Sequence, residues 1–141
     1  MRITTRGRYA LRASLALAGH QNSETPISIN QLSEEEAISS VFLEQIFFKL
    51  RRAGIVKSIR GPGGGFLFAK PLDHISVKEV LVAAGEELDV TDCDKNAKAC
   101  ALVPRRCAAH NVWSDITVLL DQYLSGITLA SALERYQAGL T

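Results

Sequence analysis

No stretch of this 141-residue chain reaches the roughly 18 to 20 consecutive apolar positions that a membrane helix needs. The N-terminus, M-R-I-T-T-R-G-R, has none of the apolar core of a secretory signal. Both absences predict a cytoplasmic chain with no membrane partner. Cysteine is scarce and odd in number, with Cys93, Cys100 and Cys107 the whole supply. A disulfide framework would leave one thiol over, and a reducing compartment disfavours structural bridges, so thiols used for metal or redox work fit better. Internal repeats and low-complexity tracts are missing as well. No residue is assigned a catalytic role, and the chain is read as a non-enzyme.

Net charge is nearly absent, at +1, but this hides an asymmetry. Residues 1–70 carry ten Lys or Arg against five Asp or Glu, and residues 71–141 carry six against ten. A basic half joined to an acidic half fits a nucleic-acid reader tied to a sensing or assembly module, although a charge surplus is more often just a solvated face. With 47% hydrophobic and 22% charged residues the composition is that of a globular chain, long enough for one domain plus an appended arm.

What is present reads first as helix. Residues 8–19 hold good helix formers, with Gly19 at the expected C-terminal cap. Residues 21–26 read as a loop, and Ser28 and Gln31 stand at capping-box spacing before a short second helix to about Glu36. Ser39 and Ser40 offer the next N-cap. Leu43, Ile46, Phe47 and Leu50 then recur at i, i+3, i+4 and i+7, and Gly54 closes the third helix. Two helices joined by about three residues make a helix-turn-helix pattern. Residues 55–60 and 66–70 read as short strands joined by the tip G-P-G-G-G at 61–65. That tip lacks the Gly-Lys-Ser/Thr that opens a helix in a nucleotide-binding loop, so nucleotide binding is set aside. Ser76 and Glu79 form another capping box, for a short helix stopping at Gly85. Residues 86–106 show no sustained periodicity. A long helix follows from about Cys107 to Leu124, with Val112, Ile116, Leu119, Leu120, Tyr123 and Leu124 along it, and Thr128 caps a last one.

The pattern predicts a mainly α fold with a small β-hairpin wing: a winged helix-turn-helix DNA-binding domain and a long dimerisation helix. In such folds the N-terminal end of the second helix of the motif enters the major groove. Ser39, Ser40, Val41, Glu44 and Gln45 are therefore the candidates to face base edges, Gln suiting adenine, Glu suiting cytosine and either Val41 or Phe42 a thymine methyl. Arg2, Lys49 and Arg51, with Arg6, Arg8, Arg52 and Lys57, are candidates for phosphates. Arg60 can reach a minor groove from the wing, where Gly61, Gly63 and Gly64 let backbone approach the phosphate chain. Glu34, Glu35 and Glu36 would repel phosphates and are expected to turn away. One reading head has a small footprint, so a homodimer on a pseudo-palindromic operator is expected, with the long helix as its arm.

The thiols are separated by six residues each, and His110 lies three beyond the last. If Cys107 and His110 open the long helix, their spacing puts both on one face. Three thiolates and an imidazole supply four ligands, as either zinc or an iron-sulfur cluster demands. The chemistry alone leaves an iron-sulfur cluster, zinc and unliganded thiols open. His20 and His74 lack such company and read as surface or helix-end residues.

The opening M-R-I-T-T-R-G-R-Y-A, the segment F-L-E-Q-I-F-F-K-L-R-R-A-G-I-V-K-S-I-R-G-P-G-G-G-F, and C-x6-C-x6-C-A-A-H-N-V-W resemble the IscR-type iron-sulfur cluster transcriptional regulators, the family that includes NsrR and RirA. The resemblance covers nearly the whole chain. It implies a homodimeric activator or repressor that binds a 2Fe-2S cluster through three Cys and one His, falling here on Cys93, Cys100, Cys107 and His110. The family's recognition-helix Glu falls on Glu44 and its wing Arg on Arg60. His110 and Trp113 favour the IscR branch over the nitric-oxide branch, whose fourth ligand lies near the N-terminus, where this chain offers Arg6 and Arg8. Two features depart from the pattern: each thiol gap is a residue longer, and the chain stops soon after its last helix. The expected organisation is a DNA-binding domain over 1–85, a cluster-binding loop over 86–110, and a dimerisation helix and C-terminal helix over 107–141. Rival expectations are a nitric-oxide or iron-responsive regulator with a 4Fe-4S cluster, an electron-transfer or cluster-carrier protein, and a zinc-stabilised regulator that senses nothing.

Overall fold

The computed structural model describes residues 2–21, 24–92 and 107–139. Helix α1 (Thr5–Gly19) starts three residues earlier than its periodicity suggested, because Thr4 takes the N-cap and its side chain accepts from the Gly7 N–H. Its inner face is built of small residues, Ala10, Ala13, Ser14 and Ala18, with Leu17, which lets neighbouring helices approach closely. Helix α2 (Ile29–Glu36) is capped by Ser28 through the Gln31 N–H. Only half of the expected capping box forms, since the Gln31 amide reaches forward to Glu35 instead. The helix ends at Ala37, held at φ 53°, ψ 42°. A left-handed non-glycine residue costs roughly 1–2 kcal/mol; here the Ser33 hydroxyl supports the turn by donating to the Ile38 carbonyl at 2.6 Å.

Helix α3 (Ser40–Arg52) delivers the predicted stripe to the core: Leu43, Ile46, Phe47 and Leu50 are completely buried, with Leu32 of α2 and Ile55 beside them. Strands β1 (Val56–Ile59) and β2 (Gly65–Phe68) form the antiparallel hairpin, pairing Val56 with Phe68 and Ile59 with Gly65. Both are shorter than the sequence indicated. A third backbone segment joins them: Ile27 exchanges both hydrogen bonds with Phe66, at 3.1 and 2.8 Å, so the chain entering α2 is stitched to the wing.

A turn of 3-10 helix (Leu72–His74) leads to α4 (Val77–Ala83), whose capping box is complete: the Glu79 N–H donates to Ser76 Oγ at 3.0 Å, and the Ser76 N–H to the Glu79 carboxylate at 2.8 Å. Lys70 also donates to that carboxylate, which holds Glu79 below the usual carboxylate range despite partial burial; the Ser76 N–H adds to the effect. Helix α5 (His110–Gly126) leans on α4, joined to it by the Lys78–Asp121 ion pair, and contributes no buried residue. Helix α6 (Leu129–Gly139) returns to the core. Leu129 is fully buried, α6 packs on α1, and the Ser131 N–H donates to Thr128 Oγ1 at 3.1 Å as expected of that cap. No helix among the described residues is long and apolar enough to cross a membrane.

Candidate functional site

Because Leu43, Ile46, Phe47 and Leu50 face inward, the positions between them face out. Val41, Glu44, Gln45, Phe48 and Arg52 recur at i, i+3, i+4, i+7 and i+11 and form one exposed stripe along α3. Val41 is 62% exposed. Ser39 stands at the N-cap, exposed, and its side chain makes no capping bond; Ser40 is half-buried behind it. The start of α3 thus presents a free hydroxyl, two polar side chains and an apolar one to solvent.

The basic residues divide into groups. Arg51 lies on the exposed side, its guanidinium 5.6 Å from the Phe48 ring centroid, and donates to Ser58 Oγ of β1 at 3.4 Å. Arg52 lies 5.8 Å from the same ring. Lys49 turns the other way. A side chain added at Gly85 would start 3.5 Å from both Lys49 Nζ and Arg6 Nη2, so these two cations converge over the end of α4. Arg2 is exposed just ahead of α1, Lys57 is exposed on β1, and the exposed Arg8 donates to Thr5. Two of the three clustered acids engage α1: Glu35 pairs with His20 at 2.9 Å, and Arg12 donates to the Glu36 carbonyl at 2.6 Å. The bond from His20, then the one from Gln31, keeps Glu35 below the ordinary carboxylate range.

At the wing, Arg60 is exposed where β1 ends. Gly61 and Gly63 take φ of 101° and 74°, which side chains rarely adopt. Gly64 is fixed by crowding instead, since a Cβ there would lie 2.2 Å from the Ile59 carbonyl oxygen. The glycine tip is therefore set by backbone geometry as well as being open to a partner.

Cys107 is half-buried immediately before α5, and its carbonyl accepts the His110 N–H at 3.0 Å. The sequence had both residues inside the helix. The helix in fact begins at His110, because Ala108 and Ala109 form a turn and alanine at the N-cap position offers no side-chain acceptor. Cys107 and His110 remain neighbours across that turn. Cys93 and Cys100 lie outside the described residues, and among the described residues no group of three His, Cys, Asp or Glu could hold a metal ion. The two described donors, a thiol and an imidazole, have the chemistry of zinc or iron-sulfur ligands and stand at a helix start, where backbone N–H groups favour negative charge.

Two features escaped the sequence reading. Phe48 interrupts a polar stripe, a signal visible in the helical spacing and passed over. Glu86 had no local signal at all. It is 7% exposed, accepts from the Thr4 N–H at 3.2 and 3.3 Å and from the Thr4 hydroxyl, and packs on Gly7 so closely that a Cβ there would lie 2.5 Å from its Oε1. The segment following α4 is thereby pinned to the start of α1, and a few residues on the Val90 N–H donates to Thr117 of α5 at 3.3 Å.

This arrangement has counterparts. The Rrf2 family model, described as iron-dependent transcriptional regulator, matches residues 3–135. IscR of Erwinia tasmaniensis, an HTH-type transcriptional regulator, is 39% identical over 137 residues, covering 97% of this chain and 81% of its own. Among solved structures, CymR of B. subtilis, the global cysteine regulator, superimposes with a TM-score of 0.82 at 27% identity, over 96% of this chain and 98% of its own. T. potens IscR does so with a TM-score of 0.81 at 28% identity, over 100% and 92%. A helix-turn-helix with a hairpin wing, matched along nearly its whole length, places the chain in the Rrf2 family of DNA-binding transcriptional regulators, as a member of the IscR type.

Proposed function

We propose that this regulator is a homodimer that senses iron-sulfur cluster status through a 2Fe-2S cluster held by Cys93, Cys100, Cys107 and His110. One observation carries the reading: a thiol and an imidazole stand at the root of a helix whose apolar residues Val112, Val118, Leu119 and Tyr123 are exposed in the single chain. Whatever fixes that root also fixes how the helix meets a second copy. A bound cluster supplies a rigid inorganic link among four side chains, and the imidazole, a weaker and protonatable donor, makes that link easier to lose than four thiolates would.

The chain's own residues do the rest. Residues 1–85 form the reading head, 86–110 the cluster-binding loop, and 107–141 the dimerisation and C-terminal helices. Ser39, Ser40, Val41, Glu44 and Gln45 meet base edges in the major groove; Arg2 and Arg51 meet phosphates, while Lys49, expected among them, is turned toward Arg6 over the end of α4; Arg60 enters the minor groove beside the backbone of Gly61, Gly63 and Gly64. Two heads related by a two-fold axis read a pseudo-palindrome. The loop reports to the head through Glu86 and Thr4. Since a ligand biases an equilibrium only through differential affinity for its two states, some duplexes must bind holo and apo forms unequally.

Purification without oxygen, with metal and sulfide analysis, tests the cofactor: about two irons and two sulfides per chain are expected. Four irons would move the protein to the nitric-oxide or iron-responsive reading, and a colourless zinc protein would end the cluster reading. His110→Cys is expected to bleach more slowly in air. Equal affinity of holo and apo protein for every duplex recovered from a random pool would remove the sensor and leave the DNA reader.

A further inference from the structure

We propose that Phe48 is a positioning residue for DNA binding: its ring holds the Arg51 and Arg52 guanidiniums ready for the phosphate chain at the edge of the groove that α3 enters. The inference rests on the placement of α3 in the groove and goes beyond it in assigning a role to a side chain that contributes nothing to the core.

Phe48 is 50% exposed and sits among Gln45, Arg51 and Arg52 on the polar side of α3. An apolar ring there gives up burial, and the core is complete without it. Its spacing to the two arginines, i+3 and i+4, is the one that stacks side chains on a helix surface. Both guanidinium carbons, at 5.6 and 5.8 Å, lie within the roughly 6 Å over which a ring face attracts a cation. Neither arginine pairs with a carboxylate among the described residues, so both charges remain unspent. At about 1.5 Å of rise per residue Phe48 lies roughly 10 Å along the helix from Val41. Base contacts come from the first turns of such a helix, and phosphates flank its later ones. A long arginine loses rotamer freedom when it grips a phosphate; stacking on the ring removes part of that freedom before DNA arrives. The bond from Arg51 to Ser58 does the same toward the wing.

The full-length protein is titrated with a duplex it has selected from a random pool and with a duplex of random sequence, at several salt concentrations. Phe48→Leu keeps bulk and loses the ring face. It is expected to weaken both duplexes by the same factor, roughly five- to tenfold, from the rotamer freedom of two long side chains that binding must then remove. Phe48→Trp is expected to restore binding, and Phe48→Leu to add nothing once Arg51 and Arg52 are both alanine. A loss confined to the selected duplex would show the ring reading a base and overturn the proposal, as would no loss, or a full additional loss without the arginines. Gln45→Ala separates the two levels. It should shrink the ratio of selected to random affinity, and an unchanged ratio would remove α3 from the groove and the role of Phe48 with it.

Discussion

Helices α3 and α5 are similar in sequence logic and opposite in fate. Both carry aliphatic and aromatic residues at helical spacing, yet α3 buries its entire stripe, and α5 buries no residue fully: Ile116, Leu120 and Leu124 are half-buried and Leu119 stands 64% exposed. Periodicity states that a helix has a face to hide. Whether the same chain hides it depends on which other elements the fold brings alongside. For α3 these are α1, α2, α4 and β1; for α5, among the described elements, it is α4. The difference marks α3 as part of the helix-turn-helix skeleton, and the exposed apolar side chains of α5 are what support the homodimer proposed above.

The contrast can be broken most directly by cutting both stripes. Phe47→Ala should cost about 3–5 kcal/mol in urea unfolding, through lost burial and the cavity left behind. Leu119→Glu should leave the far-ultraviolet spectrum of dilute protein unchanged and shift the sedimentation of concentrated protein toward a single chain. If Leu119→Glu unfolds dilute protein as Phe47→Ala does, the two helices are alike after all.

A subtler comparison lies inside α1. Alanine ordinarily stabilises a helix interior relative to glycine by about 1 kcal/mol. Gly7→Ala should do the reverse and destabilise by about 1–3 kcal/mol, because the new methyl meets the buried Glu86 carboxylate. The penalty should shrink when Glu86 is also Ala, as read by the additivity of thermal midpoints.

The smallest effect sharpens the comparison at the cap of α4, against which α5 leans. Glu79→Gln should lower stability by only a few tenths of a kcal/mol at neutral pH, since the Lys70 pair is partly exposed and screened by solvent. Glu79 is depressed in the folded chain, so its contribution is present above the ordinary carboxylate pKa and lost as pH falls through the lower folded value. The difference between the variant and the parent should therefore vanish in acid.

Much of the reading head was legible because its signals are local. A four-residue recurrence announces α3, a glycine-rich tip announces the hairpin, and serine-glutamate spacing announces α4. The Ile27–Phe66 exchange was illegible because a backbone pairing of one residue leaves no side-chain pattern. The Thr4–Glu86 contact spans 82 positions, and no local preference encodes it. The start of α5 was placed three residues early because C-A-A-H carries helix formers and no cap, so the boundary is set by the turn at Ala108 and Ala109. Of the donor set, the sequence supplied composition and spacing; the fold adds that Cys107 and His110 share one turn, and Cys93 and Cys100 lie outside the described residues.

The double exchange between Ile27 and Phe66, together with the bond from the Ala69 N–H to the Ile55 carbonyl at 2.9 Å, leaves the hairpin without a hinge of its own. Helix and hairpin therefore work like a caliper with a welded jaw, its span set before any duplex is met. With α3 in the major groove and Arg60 in the minor groove as proposed, a duplex whose neighbouring grooves do not suit that span would have to bend or twist to be gripped, and stiffness in the DNA would become one of the properties selected.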